Sequence, residues 1–326
     1  MEKFPSIGEK RQIPYTLSIY PFLRDHSIPS GAIIPAVHSM QILVDVINQH
    51  YTGFDTRTLC NASFGKLLYL PDDQETADTW VEIESPAECH LHVSLLSKLR
   101  SKSGIVRSLP HAGFEVSKAP QEDEQPGKAK TETQGRQQRS VFDVIPGLTR
   151  NLNGLHWAAG FAYRIKSGMT KYQKHRKSNV IRHDNNFSES IPVRDIYPGL
   201  VCFAEGFQNV IEPVRTSETG AVTRVSGGKP VPGPAALGSP FPLDAAFQAA
   251  CAWGRKYTGQ ICYPVAFEKR SVFQPTQAFE LYDVEVLLLN QEGGTLEFDL
   301  SLKNSQGKKM EQVEGLKMRE LGIGPG

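Results

Sequence analysis

The feature that most constrains the fold is a plan that occurs twice along the chain: one amphipathic helix followed by several β-strands. In the first copy, a strand is predicted at Tyr15–Leu23 and a helix at Pro35–His50, with proline suited to the first helical turn. The apolar residues of this helix recur at helical spacing along one stripe: Ala36, Met40, Leu43, Val44 and Ile47. The helix therefore buries one face.

Strands separated by Pro, Gly, Asp and Ser follow this helix at Cys60–Leu70, Thr79–Glu84, His90–Leu99 and Ile105–Val116. The second copy has strands at Asn209–Val214 and Ala221–Val225 and a helix at Pro242–Tyr257 with its own apolar stripe. Four more strands complete it, at Tyr263–Phe273, Phe279–Leu289, Thr295–Lys303 and Lys309–Leu321. The pattern predicts an α+β fold, a double hot-dog in which two antiparallel sheets each wrap around one long helix.

The domain prediction that follows is a first hot-dog at 1–118, a linker and insertion at 119–190, and a second hot-dog at 191–326. Residues 119–140 have no large apolar side chain, which is typical of a solvated linker. Residues 141–190 are interpreted as an extended, partly disordered insertion, with a lid or docking element as the alternative. The basic stretch Lys171–Arg182 is either a solvated segment or an attraction site for an acidic carrier protein.

Charge and cysteine content exclude several functional classes. The 36 Lys and Arg residues balance 35 Asp and Glu, and this net charge of +1 favours neither nucleic acid nor an anionic membrane as a partner. The 5 cysteines are scattered without a CxxC spacing, so neither a disulfide framework nor a zinc site is expected. Without a signal peptide or a long apolar run, a cytoplasmic location is expected.

Three polar residues flank the two predicted helices. His26 precedes the first helix, Asp244 stands at the start of the second, and Gln248 lies one turn further on the same face. Taken singly, these are an ordinary turn histidine and an ordinary helix cap. Because the helices begin equivalent halves, pseudo-twofold packing would bring His26 and Asp244 to a shared cleft. A base and an acid on opposite sides of a pocket suit β-elimination.

The sequence around these residues resembles the dehydratase domain of polyketide and polyunsaturated fatty-acid synthases. Its motif His-x-x-x-Gly-x-x-x-x-Pro is matched by His26 and Pro35, with Ser30 at the glycine position and Gly31 one residue later. The Asp-x-x-x-Gln motif is matched by Asp244 and Gln248. Two further segments share the resemblance, Leu109–Val116 and Asp195–Gln208, although Ala204 and Glu205 stand where Gly-Pro is usual. The resemblance covers 15–118 and 192–321.

The resemblance implies dehydration of a β-hydroxyacyl thioester carried on the phosphopantetheine of an acyl carrier protein, without metal or redox cofactor. His26 would be the base for the α-proton, Asp244 the proton donor to the hydroxyl, and Gln248 would orient Asp244 or bind the hydroxyl. A backbone N–H near Gly31 would stabilise the enolate. Pro35 is a further substrate-binding candidate, and His111 either contacts substrate or packs near the pocket mouth.

Partners implied are the carrier protein, other synthase domains and a second copy of the chain paired through sheet edges. Two other functions stay open at this point. One is a double-bond isomerase or cyclase that uses the same pocket. The other is a catalytically silent hot-dog that serves as a scaffold in a synthase.

Overall fold

Two long helices form the centre of the fold, as the sequence predicts. A computed structural model describes residues 5–101, 103–119, 187–197 and 199–320, so nearly all of the predicted linker and insertion lies outside the described residues. Helix α1 spans Ala36–His50, α2 is a single turn at Val193–Ile196, and α3 spans Phe241–Thr258. Gly259, at a φ of 77°, takes the left-handed conformation that ends α3.

The strands alternate with these helices along the chain. The first half contains β1 (Lys10–Ser18), β2 (Ser27–Ile28), β3 (Gly31–Ala32), β4 (Thr58–Ser63), β5 (Thr76–Glu84), β6 (His90–Arg100) and β7 (Val106–Ser117). The second half contains β8 (Glu189–Ile191), β9 (Val214–Ser217), β10 (Gly220–Ser226), β11 (Cys262–Val272), β12 (Leu281–Glu292), β13 (Thr295–Asn304) and β14 (Lys309–Glu320).

Both halves use the same strand order, which confirms the double hot-dog. The first half runs β1-β5-β6-β7-β4 and the second runs β10-β12-β13-β14-β11, with β9 and β8 added at the outer edge. The prediction of two separate sheets needs one correction. Strands β4 and β11 pair antiparallel, with Ala266 opposite Ser63, and this pairing joins the halves into one sheet of 12 strands. Each of these strands would otherwise leave an unpaired sheet edge.

Several predicted strands end or begin elsewhere than expected. β1 stops at Ser18, and the predicted strand continues instead as a short 3₁₀ helix at Pro21–Asp25, where proline has no N–H to offer a sheet. β4 stops at Ser63, because the chain beyond it turns toward α1 and the Leu68 carbonyl accepts the Ile34 N–H at 3.0 Å.

In the second half, the strand predicted at Asn209–Val214 begins only at Val214. β8 begins at Glu189, inside the segment predicted as insertion.

A buried ion pair lies beside the junction of the two halves. Arg270 on β11 donates through Nε to Glu311 Oε1 on β14 at 2.5 Å, and the two side chains are 2% and 1% exposed. Arg270 Nη1 also contacts Met40 Sδ of α1 at 3.6 Å. The guanidinium therefore connects the junction strand, a strand of the second half and the helix of the first half.

We predict that Glu311→Gln lowers the free energy of unfolding by about 3–5 kcal/mol, because it leaves the Arg270 charge buried without its partner. The double variant Arg270→Met/Glu311→Leu should recover most of this loss, since no charge remains to be desolvated. Urea denaturation measures both. Glu84→Gln is the control, because its partly exposed pair with Lys10 at 2.8 Å should contribute less than about 1 kcal/mol. A loss for Glu311→Gln no larger than the control's would contradict the prediction.

Candidate active site

A tight hairpin holds the imidazole of His26. His26 follows the 3₁₀ helix Pro21–Asp25, and the chain then folds back through β2 and β3 so that the Ile33 N–H donates to the His26 carbonyl at 3.0 Å. The Ile33 carbonyl in turn accepts from His26 Nδ1 at 3.3 Å. A carbonyl can only accept, so Nδ1 carries the proton of the neutral ring and Nε2 has the free lone pair.

Asp244 faces that lone pair from the other half of the molecule. It lies in the first turn of α3, and its Oδ1 is 3.7 Å from His26 Nε2. Only 8% of His26 and 5% of Asp244 are exposed. The other carboxyl oxygen, Oδ2, accepts from Gln248 Nε2 at 2.7 Å. The predicted meeting of His26, Asp244 and Gln248 is therefore present.

Burial moves the two pKa values in opposite directions. Loss of solvation lowers the pKa of His26 to about 4, because it disfavours the imidazolium. The same loss raises the pKa of Asp244 to about 7, and the hydrogen bond from Gln248 offsets part of the rise. Near neutral pH the imidazole is thus neutral and a large fraction of the carboxyl is protonated. The site holds a base and an acid at the same time.

A tyrosine that sequence reasoning missed completes the network. The Tyr197 hydroxyl donates to Gln248 Oε1 and accepts the Val210 N–H at 3.3 Å. This contact fixes the Gln248 amide so that its Nε2 faces Asp244 and the Phe207 carbonyl. Burial raises the pKa of Tyr197, which keeps the hydroxyl a donor. Tyr197 lies in the segment Asp195–Gln208 that carried part of the resemblance, but nothing in the sequence separates it from a core tyrosine.

Aromatic rings supply the apolar surroundings of His26. Phe203 lies over the imidazole at 4.2 Å between centroids, and Phe207 meets it edge-on at 5.0 Å. Both rings come from the segment in which Ala204 and Glu205 replace the usual Gly-Pro. Glu205 itself is exposed and pairs with Lys229 at 3.1 Å, so this departure adds no charge beside the imidazole.

A cavity surrounds the pair. Its walls come from both halves: His26, Ile34 and Leu68 from the first, and Phe247, Cys251 and Met318 from the second. Most of the lining is apolar, and Asp244, Gln248 and His111 are among its few polar groups. A mostly apolar cavity with a few convergent polar groups is typical of a small-molecule site.

Two predicted substrate-binding residues do not line this cavity. Gly31 lies in the β2–β3 hairpin rather than at the start of α1, and Pro35 is the buried residue that caps α1. The hairpin requires glycine there, since φ at Gly31 is 131°. The strained conformation of the motif thus falls on Gly31, while Ser30 makes a hydrogen bond to Tyr69 at 2.9 Å. The predicted enolate contact of the Gly31 N–H is not supported.

His111 does line the cavity, but both ring nitrogens have protein partners. Nδ1 donates to the Lys66 carbonyl at 3.0 Å, and Nε2 accepts from Ser97 Oγ at 2.8 Å. A β-bulge produces this placement, because Leu95 pairs with Ala112 and Leu96 with Pro110, leaving His111 unpaired between them. The His111 ring thus joins two segments of the cavity wall, at Lys66 and Ser97, through hydrogen bonds.

Within the described ranges, no helix is long and apolar enough to cross a membrane. No cluster of three or more His, Cys, Asp or Glu side chains suitable for a metal ion is found in that part of the chain.

We predict that Gln248→Met raises the pKa of Asp244 above about 7, because the variant loses the hydrogen bond that favours the carboxylate. Carbon-13 NMR titration of the Asp244 carboxyl measures this shift. Gln49→Met is the matched control: Gln49 donates to Asp45 at 2.6 Å with the same helical spacing but on an exposed face of α1. A lower Asp244 pKa in Gln248→Met would contradict the prediction. So would a shift of the Asp244 pKa in Gln49→Met as large as that in Gln248→Met.

Comparison with known proteins supports the resemblance found in the sequence. Residues 179–325, which contain Asp244 and Gln248, match the family model described as "Polyketide synthase dehydratase N-terminal domain". No curated protein matches the chain in sequence.

Solved structures with the same fold include the dehydratase domain from the CurJ module of the curacin polyketide synthase, at a TM-score of 0.62 and 16% identity over 98% of this chain and 95% of that one. An inactive His-to-Phe mutant of the CurK dehydratase aligns at a TM-score of 0.60 and 14% identity, covering 96% of each chain. An inactive Asp-to-Asn mutant of CurK aligns at 0.61 and 13% identity, covering 97% and 94%. The chain thus has the double hot-dog fold of these dehydratase domains, and its residues 179–325 are similar to the polyketide synthase dehydratase family.

Proposed function

We propose that this protein removes water from a β-hydroxyacyl thioester carried on the phosphopantetheine arm of an acyl carrier protein. The observation that carries the proposal is the meeting of His26 Nε2 and Asp244 Oδ1, which lie 3.7 Å apart and come from opposite halves. Elimination needs one group to take a proton from the α-carbon and another to give a proton to the departing hydroxyl. The pair meets both needs without a metal or redox cofactor.

In this mechanism His26 Nε2 takes the α-proton as the C–H bond breaks. The hydrogen bond from Nδ1 to the Ile33 carbonyl steadies the imidazolium that forms. Asp244 donates its proton to the β-hydroxyl, the C–O bond breaks and water leaves. The C–H electron pair becomes the new carbon–carbon double bond.

The site is regenerated within the pair. After elimination His26 carries an extra proton and Asp244 has lost one, so transfer across the short gap restores both groups. Burial favours this return, because separated charges are costly in an apolar cavity. Gln248 stabilises the transient carboxylate through its 2.7 Å hydrogen bond to Oδ2, and Tyr197 holds Gln248 in that orientation.

The CurK structures support the assignment of roles. That dehydratase is inactive when a histidine is replaced by phenylalanine and when an aspartate is replaced by asparagine. The same two residue types form the pair here.

We predict that His26→Phe and Asp244→Asn each lower kcat/KM by a factor of about 10²–10⁴, the range for loss of a general acid or base. The measurement is mass spectrometry of a β-hydroxyacyl carrier-protein substrate, with loss of water as the readout. His90→Phe and Asp73→Asn replace exposed residues of the same types and serve as controls. An unchanged product mass with a moved double bond would favour the isomerase or cyclase. A folded wild-type protein with no turnover would favour the scaffold.

We predict that kcat/KM is constant between about pH 4 and pH 7 and falls tenfold per pH unit above about 7. Below pH 7 both groups are in their working states, since the pKa of His26 is about 4 and that of Asp244 about 7. Above pH 7 Asp244 loses the proton that it must donate. If the carboxylate were instead the base, the rate would rise through pH 7, so the direction of the change decides between the two assignments.

The proposal also includes the more specific predictions made from the sequence. They are a role in polyketide or fatty-acid synthesis, including polyunsaturated chains, contact with neighbouring synthase domains, a homodimer and a cytoplasmic location. The pairing of β4 with β11 uses sheet edges that a dimer would otherwise offer, which leaves β1 and β8 at the two ends of the sheet.

A further inference from the structure

The most exposed residues of the cavity lining lie in one short segment. Of the residues that line the cavity, Gly65 and Lys66 are the exposed ones, whereas His26, Asp244 and Cys251 are all buried. Gly65 and Lys66 follow β4, on the segment that turns away from the sheet. The mouth of the cavity therefore lies at Gly65 and Lys66.

The backbone of this mouth is held by His111. Its Nδ1 donates to the Lys66 carbonyl at 3.0 Å, and its own carbonyl accepts the Gly65 N–H at 3.1 Å. On either side, the Phe64 N–H donates to Val265 at 2.8 Å and the Leu68 carbonyl accepts from Ile34 at 3.0 Å. The backbone that carries Lys66 is therefore anchored at several points.

Lys66 is also the only lysine or arginine among the described residues that line the cavity. An ammonium group at the entrance of an apolar cavity attracts an anion that stays in solvent while the rest of the ligand enters. A phosphopantetheine thioester has this form, with a reactive acyl end, an uncharged arm and a phosphate at the far end.

We propose that Lys66 binds the phosphate of the phosphopantetheine arm at the cavity mouth. The proposal rests on the function proposed above and adds the subsite that recognises the arm. Bound there, the phosphate stays at the exposed end of the cavity while the thioester extends toward His26 and Asp244. The ammonium acts as a point charge toward the phosphate oxygens, and the contact is weakened by salt.

Calorimetric titration with 4′-phosphopantetheine and with pantetheine tests this directly, because the two ligands differ only in the phosphate. We expect wild-type protein to bind the phosphorylated ligand about five-fold more tightly, the upper range for an exposed ion pair. Lys66→Ala should reduce this preference to about one-fold, and Lys66→Arg should keep it. Lys308→Ala, an exposed lysine in the turn between β13 and β14, should leave the preference intact.

Equal affinity of the wild-type protein for both ligands would overturn the proposal, as would a preference that survives in Lys66→Ala. If Lys66→Ala weakens binding of the holo carrier protein but not of 4′-phosphopantetheine, the lysine contacts the carrier's protein surface and the phosphate subsite is wrong. The proposed function is judged separately, by turnover of a β-hydroxyacyl pantetheine thioester that lacks the phosphate. Phosphate-dependent binding without turnover would contradict the dehydration alone.

Discussion

The site depends on removing one histidine and one carboxylic acid from water together. In solvent His26 and Asp244 would both be charged over part of the pH range near neutrality, and neither could take the role proposed for it. Burial of both side chains disfavours both charged forms, and the rings of Phe203 and Phe207 pack against His26. One physical effect thus lowers the pKa of the base and raises that of the acid, so that they coexist in their reactive states.

That burial occurs where the two halves of the chain meet. Asp244 belongs to the second half and His26 to the first, and the pairing of β4 with β11 brings the helices that flank them together. Beside the junction, Arg270 and Glu311 are almost fully buried, and Arg270 reaches α1 through Met40. Strand pairing and the contact of Arg270 with Met40 therefore join the two halves that contribute His26 and Asp244.

Much of this could be predicted from local sequence patterns. The stripes at Ala36–Ile47 and Leu243–Trp253 repeat at helical spacing, so both long helices were predicted nearly to their ends. Because the halves repeat one plan, equivalent positions in front of each helix predicted that His26 and Asp244 would meet. Gln248 followed from helical spacing alone, since a residue one turn away shares a face.

The sequence by itself determined the order of elements, the two long helices, the double hot-dog class and the meeting of His26 with Asp244, because each follows from short-range periodicity or from its repetition along the chain. Only the tertiary structure decided that the two sheets are one, that Tyr197 orients Gln248, that Gly31 and Pro35 stand outside the cavity and that Lys66 lies at its mouth. These features depend on contacts between residues far apart in the chain. Which side chains meet there is set by the paths of loops, such as the one after β4.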